Sequence, residues 1–388
     1  MSPLYTPATP TPARSLAGLS IASLLLAMAG TAGAATLSVG PGKTYVSPCA
    51  AIAAAKDGDT IEIVGDWTYS GDVCAVAHSN LTIRGVQGRP TIDAAGRNHG
   101  GKGTWVVTGN NITVENVEML GSKVPDGNGA ALRLEGTNFT LRNAFIHDNE
   151  NGILSGLNRA SNVVIEHCEF GHNGSGTGQT HNLYIGNAKS LTFRYNYSHD
   201  ANIGHDLKSR AMFNMIAYNR FSSTPPGKPG STASGKPSYE IDLPSAGTAY
   251  LIGNVIEQPA INDNPNIVAF GEEGATNPSQ DLYVINNTFL NDFSSGTFLF
   301  ISGKVSTPAL IQNNVFGGPG TLTTQSSAIQ KDNHRMEKPG FVDRAGFSLR
   351  PLVNEMVQKA GPLADPWSSG TEAKAGARQG RVAEAGGR

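Results

Sequence analysis

From about residue 80 the chain repeats one phrase of apolar and polar positions. An apolar residue, any residue, an apolar residue and a polar one, often Asn, are followed two residues later by another apolar side chain. The phrase reads LTIRG from Leu81, ITVENVEM from Ile112, FTLRNAFI from Phe139, VVIEHCEF from Val163, LTFRYNYS from Leu191, MIAYNRF from Met215, YLIGNVI from Tyr250, LYVINNTF from Leu282 and LIQNNVF from Leu310. Copies recur at roughly 23 to 35 residues, the range of repeat architectures. After a polar turn each copy is followed by a second short segment, as in ALRLEG, NLYIG, DLKSR, EIDLP and IVAFG. Alternation with a period of two predicts strands, and no helical period competes with it. Short strands with Asn or Gly at the corners predict an all-β solenoid, a parallel β-helix. An antiparallel sandwich or propeller would need regular hairpin turns, which the spacing does not supply. Asn suits the corners because it tolerates a left-handed backbone and bonds its neighbours from coil to coil.

Both flanks of the repeat read differently. Arg14, the apolar run from Leu16 to Ala29 and the small residues Ala32, Gly33 and Ala34 form a secretory signal, with cleavage expected after Ala34 and the mature chain secreted or periplasmic. The run is shorter than the roughly 20 residues a membrane span needs. Next come the strand LSVG and an Ala-rich segment from Pro48 to Lys56, predicted to be an N-terminal capping helix over the open end of the solenoid. The insertion SSTPPGKPGSTASGKP between Phe221 and Ser238 is too rich in Pro, Gly and Ser to be strand, and is read as a loop beside the patch described below. The expected organisation is a leader over 1–34, a cap and first coil over 35–79, the β-helix with a closing flap over 80–360, and a disordered tail over 361–388.

Composition narrows the partners. Only 15% of the 388 residues are charged, the net charge is −2 and no basic run stands out, so nucleic acid is not an expected ligand. Cys49 and Cys74 flank the first coil and would suit a bridge in an oxidising compartment, while Cys168 reads as a buried thiol.

Candidate chemistry gathers in three stretches that align without gaps: HNLYIG from His181, HDLKSR from His205 and YEIDLP from Tyr239. Strand alternation sends Leu183, Leu207 and Ile241 to one side and two polar columns to the other. One column is Asn182, Asp206 and Glu240, whose oxygens suit Ca²⁺. The other is Tyr184, Lys208 and Asp242, with Arg210 one outward step further on. Lys208 serves as a base only if a neighbouring cation such as Arg210 lowers its pKa, and Asp242 opposes that. His181 and His205 share a column and read as stacked corner residues; His205 is also a candidate helper in proton transfer. His181, Tyr239 and Asp242 are expected to touch substrate, and His199, beside Asp200, is placed at a cleft rim.

The stretch HDLKSRAMFNMIAYNRF from His205 resembles the region of the chondroitinase B and alginate lyase family in which a KS-containing strand precedes an N-x-I-x-x-N-x-F coil. More broadly, residues from about 80 to 319 look like the secreted right-handed β-helix proteins that include pectate lyases. The resemblance implies calcium held by Asn and Glu side chains, a lysine that removes the C5 proton of a uronate, and an assisting arginine. Lys208 matches the KS lysine, and Asn182, Asp206 and Glu240 stand where oxygen ligands are expected. The family's arginine lies on a later coil, where this chain has YEIDLPSAG; Arg210 is the substitute nearby. The expected protein is thus a monomeric lyase of an acidic, uronate-containing polysaccharide, acting by β-elimination. A C5-epimerase, a glycoside hydrolase or a silent carbohydrate-binding protein are the alternatives on the same scaffold.

Overall fold

The computed structural model describes residues 33–222 and 236–337, and the backbone of the strands Phe341–Asp343 and Ser348–Pro351. The leader before residue 33, most of the Pro-rich insertion and the tail lie outside the described residues. Three long parallel sheets, of 12, 11 and 10 strands, run side by side along the chain, and in each sheet hydrogen-bonded neighbours come from successive coils. Each full coil therefore contributes one strand to a first face, one to a second and one to a third, and the terminal coils are incomplete. This is the parallel β-helix that the repeat predicts.

The apolar positions of the phrase point into the coil. Leu183, Leu207, Ile241 and Val268 are fully buried; Leu207 pairs with Ile241, and Ile241 with Val268, on adjacent strands of the third face. Phe193 from the first face meets Phe170 and Phe221 from the second inside the stack, with ring centroids 6.2 and 5.9 Å apart. A fully buried side chain of this size contributes about 1.5–3 kcal/mol. Because each coil covers the next, the gain depends on the stack and not on any one coil.

Asn divides its work between two columns at the corner joining the first and second faces. Asn116, Asn143, Asn286 and Asn313 take the left-handed backbone, with φ from 49° to 59°. Asn143 donates to Asn116 and Asn313 to Asn286, coil to coil. One position later, Asn196, Asn219, Asn254, Asn287, Asn314 and Asn333 point inward, and each amide donates to the next carbonyl at 2.9 to 3.2 Å. The inner column satisfies polar groups that the turn of the chain would otherwise strand without water. Cys168 ends it: its backbone N–H donates to Asn196, and burial pushes the thiol up to about 12, an inert group.

At the N-terminal end the helix Pro48–Ala54 covers the stack, with Ser47 as N-cap and Ala51 and Ile52 buried beneath it. A Cys49–Cys74 disulfide, Cα atoms 5.7 Å apart, ties this cap to the first strand of the third face. Among the described residues no helix is long and apolar enough to cross a membrane.

Candidate functional site on the third face

The strands Leu183–Ile185, Leu207–Ser209 and Ile241–Leu243 lie next to one another, and Tyr184, Lys208 and Asp242 are paired in register. Ala269 follows in the same column. Its small side chain leaves room for the turn after that strand, which brings Glu272 and Glu273 back against the ladder. The Lys208 Nζ lies 2.8 Å from Asp242 and 2.8 Å from Glu273. Arg210 reaches the other oxygen of Glu273, donates through Nε to the Tyr184 hydroxyl at 2.7 Å, and through Nη1 to Ser245 at 3.3 Å. Lys208 and Arg210 both lie within 6 Å of the Tyr184 ring, at 5.8 and 5.7 Å.

This geometry fixes the charges. Burial works against the Lys208 ammonium, but Asp242 and Glu273 outweigh it and hold its pKa above the usual lysine value. Lys208 is thus a cation and not a free base. Glu272 is pushed up to about 9 by burial and by its hydrogen bond to the Asp242 carboxyl, so it carries a proton at neutral pH. Glu273 is opposite: burial would raise it, yet Arg210 and Lys208 hold it below the ordinary glutamate value. One turn therefore presents an acid and a carboxylate side by side.

His181 and His205 stack at 4.6 Å, as the shared column predicts, and their hydrogen bonds settle their tautomers. The Nδ1 of His181 accepts from the backbone N–H of His205, and the Nδ1 of His205 accepts from that of Tyr239, at 3.1 and 3.2 Å. Each ring therefore carries its hydrogen on Nε2, which in His205 faces Asp242 at 3.3 Å. Burial pushes His181 down to about 3 and His205 well below 6.5. His205 is hence a neutral donor that orients Asp242. Tyr239 packs against the His205 ring at 5.1 Å and is partly buried.

The column of Asn182, Asp206 and Glu240 does not face solvent. All three are buried. They extend a second internal ladder, in which Asn149 donates to Asn173, Asn173 to Asn182 and Asn182 to Asp206, at 3.0, 2.9 and 2.9 Å. Where amides give way to acids, a proton must replace the amide hydrogen. Burial and Asp206 raise Glu240 well above the usual range, and burial lifts Asp206 to about 6, so the two carboxyls share a hydrogen bond. Asp206 Oδ2 and Glu240 Oε2, buried with no amide donor, are left to that shared proton; with Asn182 Nδ2 on Asp206 Oδ1 the column continues the ladder, whereas the Ca²⁺ expected of it would need several oxygens turned toward one point.

His199 is on the second face, in the strand Tyr197–His199. Its ring lies between Asp200 at 2.7 Å and Glu169 at 3.2 Å, and although burial opposes it these partners raise it to about 9. His147 repeats the arrangement with Asp148 and Glu118. His199 is a charged strut between coils and does not join the Lys208 cluster. What the three-stretch alignment missed is the pair Glu272 and Glu273. The visible signal was the next copy of the pattern, NIVAFGEEG, whose turn carries two acids beyond a small residue.

A family model described as a right-handed β-helix region matches residues 75–256. The chain has the right-handed parallel β-helix fold. Among solved structures it is similar to a GH136 lacto-N-biosidase from Eubacterium ramulus, with a TM-score of 0.50 and 12% identity over 78% of this chain and 68% of that one. It is similar also to an alginate lyase from Paenibacillus sp., with a TM-score of 0.40 and 12% identity over 78% and 99%. A third match is ORF18 of Geobacillus virus E2, with a TM-score of 0.44 and 14% identity over 74% of this chain; the chain spans 56% of that protein's length. No curated protein matches the sequence. Identities this low speak for the shared fold and not for shared chemistry.

Proposed function

We propose that the protein is an exported enzyme that cleaves a uronate-containing polysaccharide by β-elimination on its third face. The observation that carries this reading is the convergence of Lys208 and Arg210 on a single carboxylate, Glu273, beside the Tyr184 hydroxyl. Two cations fixed on a carboxylate, in a partly dry site, are the means to stabilise the negative charge that develops when the proton next to a uronate carboxylate is removed. Glu273 holds that place until substrate displaces it. Tyr184 accepts from Arg210, and in this scheme it is the base in its phenolate form, held by that guanidinium: it takes the C5 proton and becomes the phenol. Glu272, protonated and partly buried, donates to the leaving glycosidic oxygen. Lys208 binds and neutralises; it does not abstract.

A second reading is glycoside hydrolysis, favoured by the opposite protonation of Glu272 and Glu273. Oxygens of Asp242, Glu272 and Glu273 all lie within 4.8 Å of one another. That is closer than the roughly 6.5–9.5 Å an inverting pair needs for its water, so this route would retain configuration. Export is supported by the Arg14 leader and by a disulfide in a chain with a fully formed core. Incubation with alginate, pectate and glycosaminoglycans separates the readings: elimination gives ultraviolet-absorbing unsaturated ends, and hydrolysis gives reducing ends without them. No new ends of either kind across the panel rejects both.

A further inference from the structure

At the corner between the first and second faces, where other coils carry Asn, Asp66, Asp332 or Gly253 in the left-handed position, three successive coils carry an aromatic ring. The left-handed position held by Asn116, Asn143, Asn286 and Asn313 is held here by His167, Tyr195 and Tyr218, with φ of 55°, 58° and 58°. A bulky side chain is unfavourable in this conformation, and Tyr gives no hydrogen bond from coil to coil in return. The rings stack at 5.1 and 5.6 Å, nearly parallel, yet Tyr195 and Tyr218 are 46% and 56% exposed. The next coil has Gly253, where a Cβ would lie 2.6 Å from the Tyr218 ring, so the stack keeps its present place only because that side chain is missing. Strain repeated on three coils, together with aromatic area left in water, is the mark of a surface kept for a ligand.

The stack walls a groove of about 610 Å³ that Arg89 and Arg220 also line. Arg89 donates to Asn143 at 3.2 Å and, among the described residues, takes part in no ion pair. Glu169, the groove's acid, is already bound to His199. Aromatic rings flanked by a guanidinium suit a ligand with apolar C–H faces and carboxylates. We propose that this corner groove is a binding site for a uronate-containing glycan, separate from the Lys208 cluster, with sugar rings against Tyr195 and Tyr218 and a carboxylate on Arg89. The choice of a uronate polymer rests on the function proposed above; the existence of the site rests on the corner geometry. The low charge of the chain weighs against nucleic acid, the other ligand that uses stacked rings and arginine.

Tyr195→Asn/Tyr218→Asn is the test, because Asn116, Asn143, Asn286 and Asn313 hold this corner on other coils and the fold should accept it. Retention of the full chain in gels containing alginate or polygalacturonate should weaken at least about tenfold, with the melting temperature unchanged or raised. Arg89→Ala should weaken retention on the acidic polymers and leave any retention on a neutral glucan as it was. Equal retention of wild type and double variant overturns the proposal. So does a melting temperature lowered by more than about 5 °C with retention intact, which would make the stack a structural ladder. Wild type retained on none of the polymers overturns it as well. Retention lost in the variant alongside a wild type that cleaves no polymer would leave this site standing and sink the catalytic reading alone.

Discussion

Two acidic pairs, each with a member at or beside the short strand Ile241–Leu243, meet opposite fates. Asp206 and Glu240 lie inside the solenoid, where one proton stands in for the amide hydrogen that the Asn ladder would have placed there. Asp242 is only two residues beyond Glu240, yet its side chain turns outward and meets Glu272, Lys208 and His205. Both pairs raise a carboxyl pKa by burial. The inner pair has only ladder neighbours, and its proton has nowhere to go. The outer pair adjoins two cations and the exposed Glu273, so its proton can be delivered to a ligand. Residue type is the same in both; access and the neighbouring charge decide whether a buried acid is scaffold or chemistry.

The apolar column between the two pairs gives the sharpest way to break this picture. Leu207→Asp puts an unpaired charge into a dry stack and should cost more than about 4 kcal/mol, unfolding several coils together. A native melting temperature for that variant would contradict the register that separates inner from outer acids.

Next in size is the contrast between Glu272→Gln and Glu240→Gln. The first removes the proposed acid and should lower turnover by about 10²–10⁴-fold while changing stability little. The second replaces a protonated acid by an amide inside a ladder of amides and should change stability by less than about 1 kcal/mol, with activity intact. Reversed results would move the chemistry to the inner column.

The pH dependence of stability follows from the same shifts. Glu272 and His199 are raised to about 9, and Glu240 is raised well above 4.5. Each binds its proton more tightly in the folded chain, so its contribution is complete below the unfolded pKa and is lost as pH rises through the folded one. His181 and His205 are shifted the other way and withdraw support as pH falls below about 6.5. Unfolding by urea should therefore become easier from about pH 7 to about pH 9, and Glu272→Gln should remove part of that slope.

The gap-free alignment of the three stretches was enough to read the outer column, because a strand alternates strictly and Tyr184, Lys208 and Asp242 sit within strands. The same rule misplaced Asn182, Asp206 and Glu240. They precede strands that begin at Leu183, Leu207 and Ile241, and at that corner the backbone turns and directs the side chain inward. Glu272 and Glu273 were hidden for another reason. They belong to a turn after the fourth strand, and a turn has no period from which to infer direction. Proximity in sequence does not place His199 beside Asn182 and Lys208, because successive strands of one coil look out on different faces.

The smallest effect is expected where the calcium reading would have placed a large one. If Asp206 and Glu240 are ladder residues, Asp206→Asn/Glu240→Gln completes a run of amides from Asn149 onward, and each side chain still donates to one neighbour and accepts from the other. Thermal melts of wild type and double variant, each with added Ca²⁺ and with a chelator, should then differ by no more than about 2–4 °C in any pairing. A bound cation behaves differently, since a ligand present at 100 times its dissociation constant stabilises by about 2.7 kcal/mol. A wild-type melting temperature that rises with Ca²⁺, and a double variant that no longer responds, would return the metal to the inner column.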